Sequence, residues 1–291
     1  LGYSVTIFEA KEKGGGMTMY GIPKYRLPLG IMDAEIGLLA EMGIEFRFNT
    51  MIGKDADFET LYNEYDALFM GIGFEHPYRI AIKGEDMEGS IQAINYLREV
   101  NQGGMPDLGS DVIVIGGGNV AMDAARVARR TGANVTILYR RRLEDMPADE
   151  EEITGAEEEG VNIVVQAVPI EVIGENNSVT GVNYLKAKMV EQEDGGRPKP
   201  VPVEGSDTFI KATTVIGAIG QGAEFDFIPK EMLKNLKMDR GRVITNEQNQ
   251  TSLPRLFAGG DTVNRTADAI SAIADGHRAA IGIDKLLSSK E

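Results

Sequence analysis

The 291-residue chain carries 45 acidic and 30 basic side chains, for a formal net charge of −15, and 42% of its residues are hydrophobic. This length accommodates two domains of ordinary size. The acidity disfavours nucleic acids and anionic membranes as partners, because affinity for phosphate groups is largely cationic. No apolar run is long enough to cross a membrane and no charged-then-apolar signal segment opens the chain, so we expect a cytoplasmic protein.

The cysteine and histidine content narrows the chemistry further. There is no cysteine, which excludes a redox-active disulfide pair and thiolate ligands for an iron–sulfur cluster within this sequence. The two histidines are His76 and His277, so neither a histidine-dependent catalytic triad nor a histidine-rich metal site is expected. We therefore predict cofactor-binding residues, with no metal site and no catalytic acid or base.

From the N-terminus, residues 2–9 are typical of a strand, and this strand ends in an acidic side chain, Glu9. Residues 14–28 are rich in glycine and proline, which predicts an irregular segment. Further elements are expected as a helix over residues 31–42, a strand over 44–48, a helix over 58–64, and a buried strand over 65–73 that ends in glycines.

Residues 112–121 form the most informative motif. A β-branched strand leads through three glycines at 116–118 into a helix that the pattern predicts over 122–130. A second strand follows at the distance expected for a dinucleotide-binding unit. The pattern predicts such a site, and the alternative is an empty structural turn, because glycine turns between strand and helix are common.

Each small residue of this motif has a physical role. Gly116 lets the chain turn sharply, Gly118 leaves room for a pyrophosphate to approach the backbone, and Ala121 lets the helix pack closely on the strand. The phosphates would bind the open N–H groups at the start of the helix, near Asn119 and Val120.

The stretch at residues 132–139 repeats the pattern of residues 2–9. The first copy ends in Glu9, an acid that would accept hydrogen bonds from an adenosine ribose. The second copy ends instead in Tyr139, followed by Arg140, Arg141 and Arg142. Guanidinium groups bind a 2′-phosphate that an acid would repel, so the second site is expected to take NADP(H) rather than NAD(H). The alternative is that the arginines form a solvated loop.

The rest of the chain predicts short strands and a closing helix. Residues 212–220 repeat the pattern of 65–73, so we expect an α/β protein with two nested Rossmann-like dinucleotide-binding domains. The expected domains are a discontinuous one, residues 1–107 and 223–291, and an inserted one, residues 108–222. Acidic stretches at 149–152 and 157–159 are interpreted as a solvated helix without chemistry. Other strands are expected over 161–165, 170–173, 179–185, 209–210 and 243–245, and one more begins at Leu256. The closing helix is expected over residues 268–287.

Three motifs carry a resemblance to a known family. They are residues 21–28 (Gly-Ile-Pro followed by Arg-Leu-Pro), the arginine run followed by Met146 and Pro147, and residues 257–261 (Phe-Ala-Gly-Gly-Asp). Over essentially its whole length the sequence resembles the small (beta) subunit of NADPH-dependent glutamate synthase and its relatives, the FAD/NADPH modules of dihydropyrimidine dehydrogenase and of ferredoxin:NADP transhydrogenases. The resemblance implies an outer FAD domain and an inserted NADP(H) domain.

The resemblance also implies roles for individual residues. Glu9 would bind the FAD adenosine ribose, and Asp261 the ribityl or pyrophosphate portion. The helix beginning near Ala269 would point its N-terminus at the pyrimidine edge of the flavin, where reduced flavin carries negative charge. The other implied FAD residues are Gly15, Gly16, Arg26 within segment 22–28, and Gly260. The implied NADP(H) residues are Gly116, Gly118, Asn119, Val120, Ala121, Arg140 and Arg141, with Gly220 and Gln221 near the nicotinamide. For residues 259–261 the alternative is a strand-end turn.

The sequence departs from the family pattern at the N-terminus. Members carry a cysteine-rich iron–sulfur region and then a strand with the FAD glycine loop, and this sequence begins after both. By the internal repeat, residues 111–130 correspond to the missing part, about twenty residues. We interpret the sequence as truncated, and we expect an intact NADP(H) site, weakened FAD binding and an exposed sheet edge. An iron–sulfur cluster is expected only in the absent region.

The activity that the resemblance implies is hydride transfer from NADPH to FAD, followed by electron transfer to iron–sulfur centres or another flavin on a partner. That partner would be the glutamate synthase large subunit or another electron-accepting subunit. Two alternatives stay open: a regulatory or interaction module that binds NADP(H) without turnover, and the same reductase module serving a different partner enzyme.

Overall fold

The computed structural model of the protein describes residues 1–193 and 195–289. The fold is α/β, and the chain divides into two units. Unit 1 consists of Leu1–Met19, Leu29–His76 and Gln221–Glu291. Unit 2 consists of Tyr20–Pro28 and Pro77–Gly220, so it interrupts unit 1 twice along the sequence.

The elements are named in chain order. The helices are α1 (Met17–Tyr20), α2 (Leu29–Glu41), α3 (Phe58–Glu64), α4 (Ala93–Asn101), α5 (Asn119–Arg130), α6 (Glu150–Glu158), α7 (Lys230–Asn235) and α8 (Ala269–Ser288). The strands are β1 (Thr6–Phe8), β2 (Glu45–Arg47), β3 (Leu68–Met70), β4 (His76–Pro77), β5 (Ser90–Gln92), β6 (Asp111–Gly116), β7 (Asn134–Leu138), β8 (Asn162–Val164), β9 (Ala167–Glu175), β10 (Ser178–Val190), β11 (Lys199–Pro202), β12 (Thr208–Lys211), β13 (Thr214–Ala218), β14 (Gln221–Gly222), β15 (Met238–Asp239), β16 (Arg242–Val243) and β17 (Leu256–Ala258). Short 3-10 helices lie at Leu143–Asp145 and Gly260–Thr262.

Unit 2 contains a five-stranded parallel sheet in the order β5-β13-β6-β7-β8. Its central strands β6 and β13 are continuous buried runs, as expected for strands covered on both faces. Helix α5 connects β6 to β7 and buries a face of small residues, including Ala121, Ala124 and Ala128, against the core. The glycine turn therefore lies at the carboxyl end of an interior strand, where open α/β sheets bind ligands. A second sheet pairs β10 with β9, β11 and β12.

The insertion is longer than the sequence predicted. Unit 2 resumes at Pro77 and ends at Gly220, whereas the expected limits were residues 108 and 222. The physical reason is that β5 pairs in parallel with β13, and α4 buries Tyr96 and Leu97 in the same core as α5. Neither β5 nor α4 was predicted, and both belong to the inserted unit.

Unit 1 contains two separate parallel strand pairs, β1 with β2 and β3 with β17. Its buried core joins α3, β3 and β17 to the segment around Phe225 and Ile228. Helix α2 has no buried residue, although most of its side chains are apolar. A helix that long ordinarily buries an apolar stripe against a neighbour.

Two local expectations need correction. The segment after the first strand is not wholly irregular, because α1 forms directly after the glycines. The acidic helix α6 is not merely solvated, because Glu152 within it and Glu159 directly after it form ion pairs with arginines of unit 2. In the part of the chain that the structure describes, no helix combines the length and the apolar character that a membrane span requires.

Candidate dinucleotide-binding sites

In the glycine turn of unit 2, only one of the three glycines borders open space. A Cβ added at Gly116 would lie 2.2 Å from the carbonyl oxygen of Ala218, and one at Gly117 would lie 2.4 Å from the ring of Tyr139. At Gly118 the nearest atom would be Cγ of Pro147, at 3.8 Å. The first two glycines are therefore required by packing within unit 2, whereas Gly118 borders open space that a ligand can enter.

Helix α5 begins directly after this open position. The carbonyl oxygen of Gly118 accepts hydrogen bonds from the N–H groups of Ala121 at 2.9 Å and Met122 at 3.2 Å, and Ala121 is fully buried. Asn119 Nδ2 donates to Asp149 Oδ2 at 2.9 Å, and its Oδ1 accepts from the Asp149 N–H at 2.8 Å. Asn119 therefore ties the start of α5 to the loop before α6, while Val120 packs against the core.

The three arginines after β7 are in different environments. Arg142 pairs with Asp145 at 2.8 Å, and this hydrogen bond raises the pKa of Arg142 and lowers that of Asp145. Arg141 donates from Nε to the carbonyl oxygen of Pro198 at 2.9 Å. Arg140 is exposed and forms neither an ion pair nor a side-chain hydrogen bond with the described residues. Of the three arginines, Arg140 is therefore the one whose guanidinium group is available to bind an incoming phosphate.

Gly220 and Gln221 lie in different units. Gly220 has a φ of +115°, which favours glycine, and its carbonyl oxygen accepts from the N–H of Tyr78 at 3.0 Å. In unit 1, Gln221 Nε2 is buried and has no hydrogen-bond partner among the described residues. Such an unpaired donor costs free energy unless a ligand or water satisfies it.

In unit 1, a carboxylate and a glycine turn follow β1. Glu9 is partly buried and its Oε1 accepts from the N–H of Lys11 at 2.9 Å. Gly15 and Gly16 have φ values of +113° and +52°, conformations that favour glycine. The carbonyl oxygen of Gly15 accepts from the N–H of Thr18 at 3.1 Å, and this turn starts α1.

A second turn of unit 1 connects β17 to α8. Gly260 has a φ of +70°, and its N–H donates to Asp275 Oδ2 at 2.9 Å. Burial raises the pKa of Asp261, and the positive charge of Arg242 opposes that shift. Asp261 is a partly buried carboxylate within this tightly held turn.

Helix α8 starts at Ala269 with a defined cap. The Asp268 carboxylate accepts from the N–H of Ser271 at 2.7 Å, and this bond lowers the pKa of Asp268. The side chains of Ile270 and Ile273 in the first turns are exposed. The N-terminus of α8 therefore presents N–H groups next to open apolar side chains.

Arg26 belongs to unit 2, whereas the other residues expected at the flavin belong to unit 1. Its Nη1 pairs with Asp123 at 2.9 Å and its Nε pairs with Glu152 at 2.9 Å. Burial raises the pKa of Asp123 to about 6 even though Arg26 opposes that shift. The charge of Arg26 is thus neutralised by carboxylates of unit 2. The sequence did not predict these ion pairs, because nothing in the local pattern marks Asp123 as the partner of Arg26.

The neighbouring Tyr25 strengthens the same attachment. Its ring lies 3.6 Å from the Arg130 guanidinium carbon and 4.8 Å from that of Arg126. Hydrogen bonds from Arg130 and Arg126 lower the pKa of Glu159 to about 2 against the effect of its burial. This cluster fixes segment Tyr20–Pro28 on α5 and α6.

Comparison with known proteins assigns the family. The sequence pattern described as pyridine nucleotide-disulphide oxidoreductase matches residues 2–276. The chain belongs to this family. Among its relatives is the beta subunit of NADP(+)-dependent formate dehydrogenase from Moorella thermoacetica, 39% identical, covering 98% of this chain and 41% of that protein. The small chain of glutamate synthase [NADPH] from Escherichia coli strain K12 is 35% identical, covering 97% of this chain and 63% of that protein.

These relatives confirm the resemblance to the glutamate synthase small subunit that the motifs indicated. The chain spans between 41% and 63% of the length of the two relatives. The fold is also that of Mycobacterium tuberculosis FprA, whose complex with NADPH has a TM-score of 0.80, at 18% identity, covering 98% of this chain and 78% of that chain. Although the family is described by disulphide chemistry, this sequence contains no cysteine that could perform it.

Proposed function

We propose that this chain is an NADPH-dependent flavin oxidoreductase module, in which unit 2 binds NADP(H) and unit 1 binds FAD. The observation that carries the proposal is the combination of the open glycine turn at Gly118 with Arg140, which is unpaired among the described residues. The turn and α5 offer N–H groups to a pyrophosphate, and Arg140 at the end of β7 offers a cation to a 2′-phosphate. These two features together favour NADP(H) over NAD(H).

The residues of unit 1 fit FAD. Glu9 at the end of β1 has a carboxylate available to a ribose. The turn at Gly15–Gly16 starts α1, and the turn at Gly260–Asp261 brings a carboxylate to the end of β17. The N-terminus of α8 at Ala269 supplies a positive helix end suited to the pyrimidine edge of a flavin. FAD would supply the hydride-accepting chemistry, and the chain would supply binding and orientation.

The proposed electron acceptor is a partner subunit. The relatives are named as subunits of formate dehydrogenase and glutamate synthase, which supports transfer of electrons to a partner subunit. We propose the large subunit of glutamate synthase as that partner, with another electron-accepting subunit as the second candidate. The cytoplasm stays the expected compartment. Any iron–sulfur cluster would have to be held by residues outside this sequence, because this sequence has no cysteine.

The competing function is an NADP(H)-binding regulatory module without turnover. The two functions are separated by NADPH:ferricyanide reductase assays of the chain with and without added FAD. Turnover that depends on FAD and prefers NADPH to NADH supports the reductase. NADPH binding, measured by nicotinamide fluorescence, without turnover at saturating FAD would support the regulatory module instead.

A further inference from the structure

The loop between β10 and β11 is attached to the arginine run that follows β7. The described residues of this β10–β11 loop are 191–193 and 195–198. Pro198 is buried while the other described residues of the loop are exposed, and the Pro198 carbonyl oxygen accepts a hydrogen bond from Arg141 Nε at 2.9 Å. At the other end of the loop, Glu191 Oε1 lies 3.5 Å from Arg142 Nη2. Two arginines of the run therefore hold the loop at both of its ends.

The backbone connects the same two segments. The carbonyl oxygen of Arg141 accepts from the N–H of Gln166 at 2.8 Å, and the carbonyl oxygen of Gln166 accepts from the N–H of Ala187 at 2.7 Å. Ala187 lies in β10, close to the end of that strand at Val190. Arg141 is therefore joined to the β10–β11 hairpin both through its backbone and through its side chain.

The β10–β11 loop carries one basic side chain, Arg197. Like Arg140, Arg197 is exposed and forms neither an ion pair nor a side-chain hydrogen bond with the described residues. Its carbonyl oxygen accepts from the side-chain amide of Gln192 across the loop. Arg140 directly precedes Arg141, and Arg197 directly precedes Pro198, at a spacing of about 3.8 Å between consecutive Cα atoms. The hydrogen bond from Arg141 to Pro198 therefore brings a second unpaired guanidinium close to the end of β7.

The charges at this end of β7 favour an anion. The neighbouring carboxylates of Asp145 and Glu144 lie 2.8 Å and 3.2 Å from Arg142 Nε, so they compensate that arginine. Arg140 and Arg197 have no such partner in the part of the chain that the structure describes. Two uncompensated guanidinium groups repel each other. A phosphate monoester between them would remove this repulsion and accept bidentate hydrogen bonds from both.

We propose that Arg197 binds the 2′-phosphate of NADP(H) together with Arg140, and that Arg141 is a positioning residue that holds the β10–β11 loop. This inference deepens the proposed function and rests on its assignment of NADP(H) to unit 2. The expected role of Arg141 thereby changes from phosphate ligand to anchor of the loop. NADH has a neutral 2′-hydroxyl in place of the phosphate, so Arg197 contributes to the selection of NADPH.

The test measures the affinity for NADPH and NADH by nicotinamide fluorescence in a set of variants. Arg197→Ala is compared with Lys211→Ala, which also removes one exposed positive charge from unit 2. Lys211 acts electrostatically on Asp111, the first residue of β6, so it lies at the opposite end of that strand from the glycine turn. Arg141→Ala and the double variant with Arg197→Ala complete a double-mutant cycle.

Arg197→Ala is expected to weaken NADPH binding by about tenfold or more and to leave NADH binding unchanged, because charge-assisted hydrogen bonds to the phosphate are lost. Lys211→Ala is expected to change neither affinity. Arg141→Ala is expected to weaken NADPH binding when Arg197 is present and to have little further effect when Arg197 is already replaced. Equal effects of Arg197→Ala and Lys211→Ala would overturn the role of Arg197. A full loss from Arg141→Ala in both backgrounds would make Arg141 itself a phosphate ligand and overturn its positioning role.

Arg140→Ala separates this inference from the proposed function. If Arg140→Ala removes the preference for NADPH while Arg197→Ala retains it, the role of Arg197 fails and the proposed NADP(H) site stands. If the unmodified chain binds neither dinucleotide, or binds both equally, the proposed site fails and this inference fails with it.

Discussion

Asp275 of α8 accepts a hydrogen bond from the N–H of Gly260 at 2.9 Å and so holds the turn that follows β17. The same carboxylate oxygen accepts from Asn264 Nδ2 at 2.9 Å, and Arg278 pairs with its other oxygen. Burial alone would raise the pKa of Asp275, but the hydrogen bonds from Asn264, Gly260 and Arg278 together lower it. A buried carboxylate thereby positions Asp261 without itself lying in the turn.

Asp275→Ala is expected to destabilise unit 1 and to weaken FAD binding. The N–H of the partly buried Gly260 and the amide of Asn264 lose their acceptor, at a cost of about 1–3 kcal/mol. Urea unfolding and FAD titration measure the two effects. Asp284→Ala is the control on the same helix, since among the described residues the Asp284 side chain accepts only an exposed hydrogen bond from Tyr3. Equal effects of the two substitutions would contradict the positioning role of Asp275.

Arg140→Ala is expected to weaken NADPH binding by about 10- to 100-fold while leaving NADH binding nearly unchanged, because a charge-assisted hydrogen bond contributes about 1.5–3 kcal/mol. Arg142→Ala is the matched control, since the Arg142 guanidinium is already held by Asp145. Nicotinamide fluorescence titrations with both dinucleotides measure the effect. A larger loss for Arg142→Ala than for Arg140→Ala would show that the 2′-phosphate is bound elsewhere in the run.

Gly117→Ala and Gly118→Ala are expected to act differently. A methyl group at Gly117 would meet the Tyr139 ring at 2.4 Å, so this substitution should lower the free energy of unfolding by about 1–3 kcal/mol. A methyl group at Gly118 meets only Pro147 at 3.8 Å, so stability should be retained while NADPH affinity falls. Thermal unfolding and NADPH titration of the two variants make the comparison. If Gly118→Ala kept full affinity, the pyrophosphate would not approach this position.

Asp123 is expected to make the stability of unit 2 depend on pH. Its pKa is raised from 3.8 to about 6, mainly by burial, so the folded state binds the proton more tightly than the unfolded state. Its contribution is therefore most favourable below about pH 4 and is lost as the pH rises through about 6, by up to about 3 kcal/mol. Urea unfolding of the chain and of Asp123→Asn between pH 4 and 7 measures the difference. A difference that is constant with pH would contradict the raised pKa.

The local parts of this structure could be predicted from sequence. Strand β6, the glycine turn and helix α5 follow from a continuous apolar run, three glycines and an alanine-rich helical face, and each feature is contained within a few residues. The repeat of residues 2–9 at residues 132–139 predicted a strand in each copy, and both strands form, as β1 and β7. Short strand β5 carries too little pattern to show that it pairs with β13 across more than a hundred residues of sequence.

Long-range electrostatic partners were the least predictable. Glu152 and Glu159 belong to acidic stretches that are typical of a solvated helix. In the structure they form a network of ion pairs with Arg26, Arg126 and Arg130. Likewise, the run of three arginines gives no sign that Arg142 pairs with Asp145, whereas Arg140 pairs with no residue in the part of the chain that the structure describes. These pairings depend on which surfaces meet after folding, and local periodicity does not encode that.

Anaerobic reduction of added FAD by NADPH, with catalytic amounts of the chain and followed at the visible flavin absorbance band, tests the reductase assignment. We predict that the band bleaches with NADPH, much more slowly with NADH, and much more slowly with Arg140→Ala. If the chain binds NADPH, as shown by nicotinamide fluorescence, but leaves the flavin oxidised at saturating FAD, the reductase assignment is contradicted.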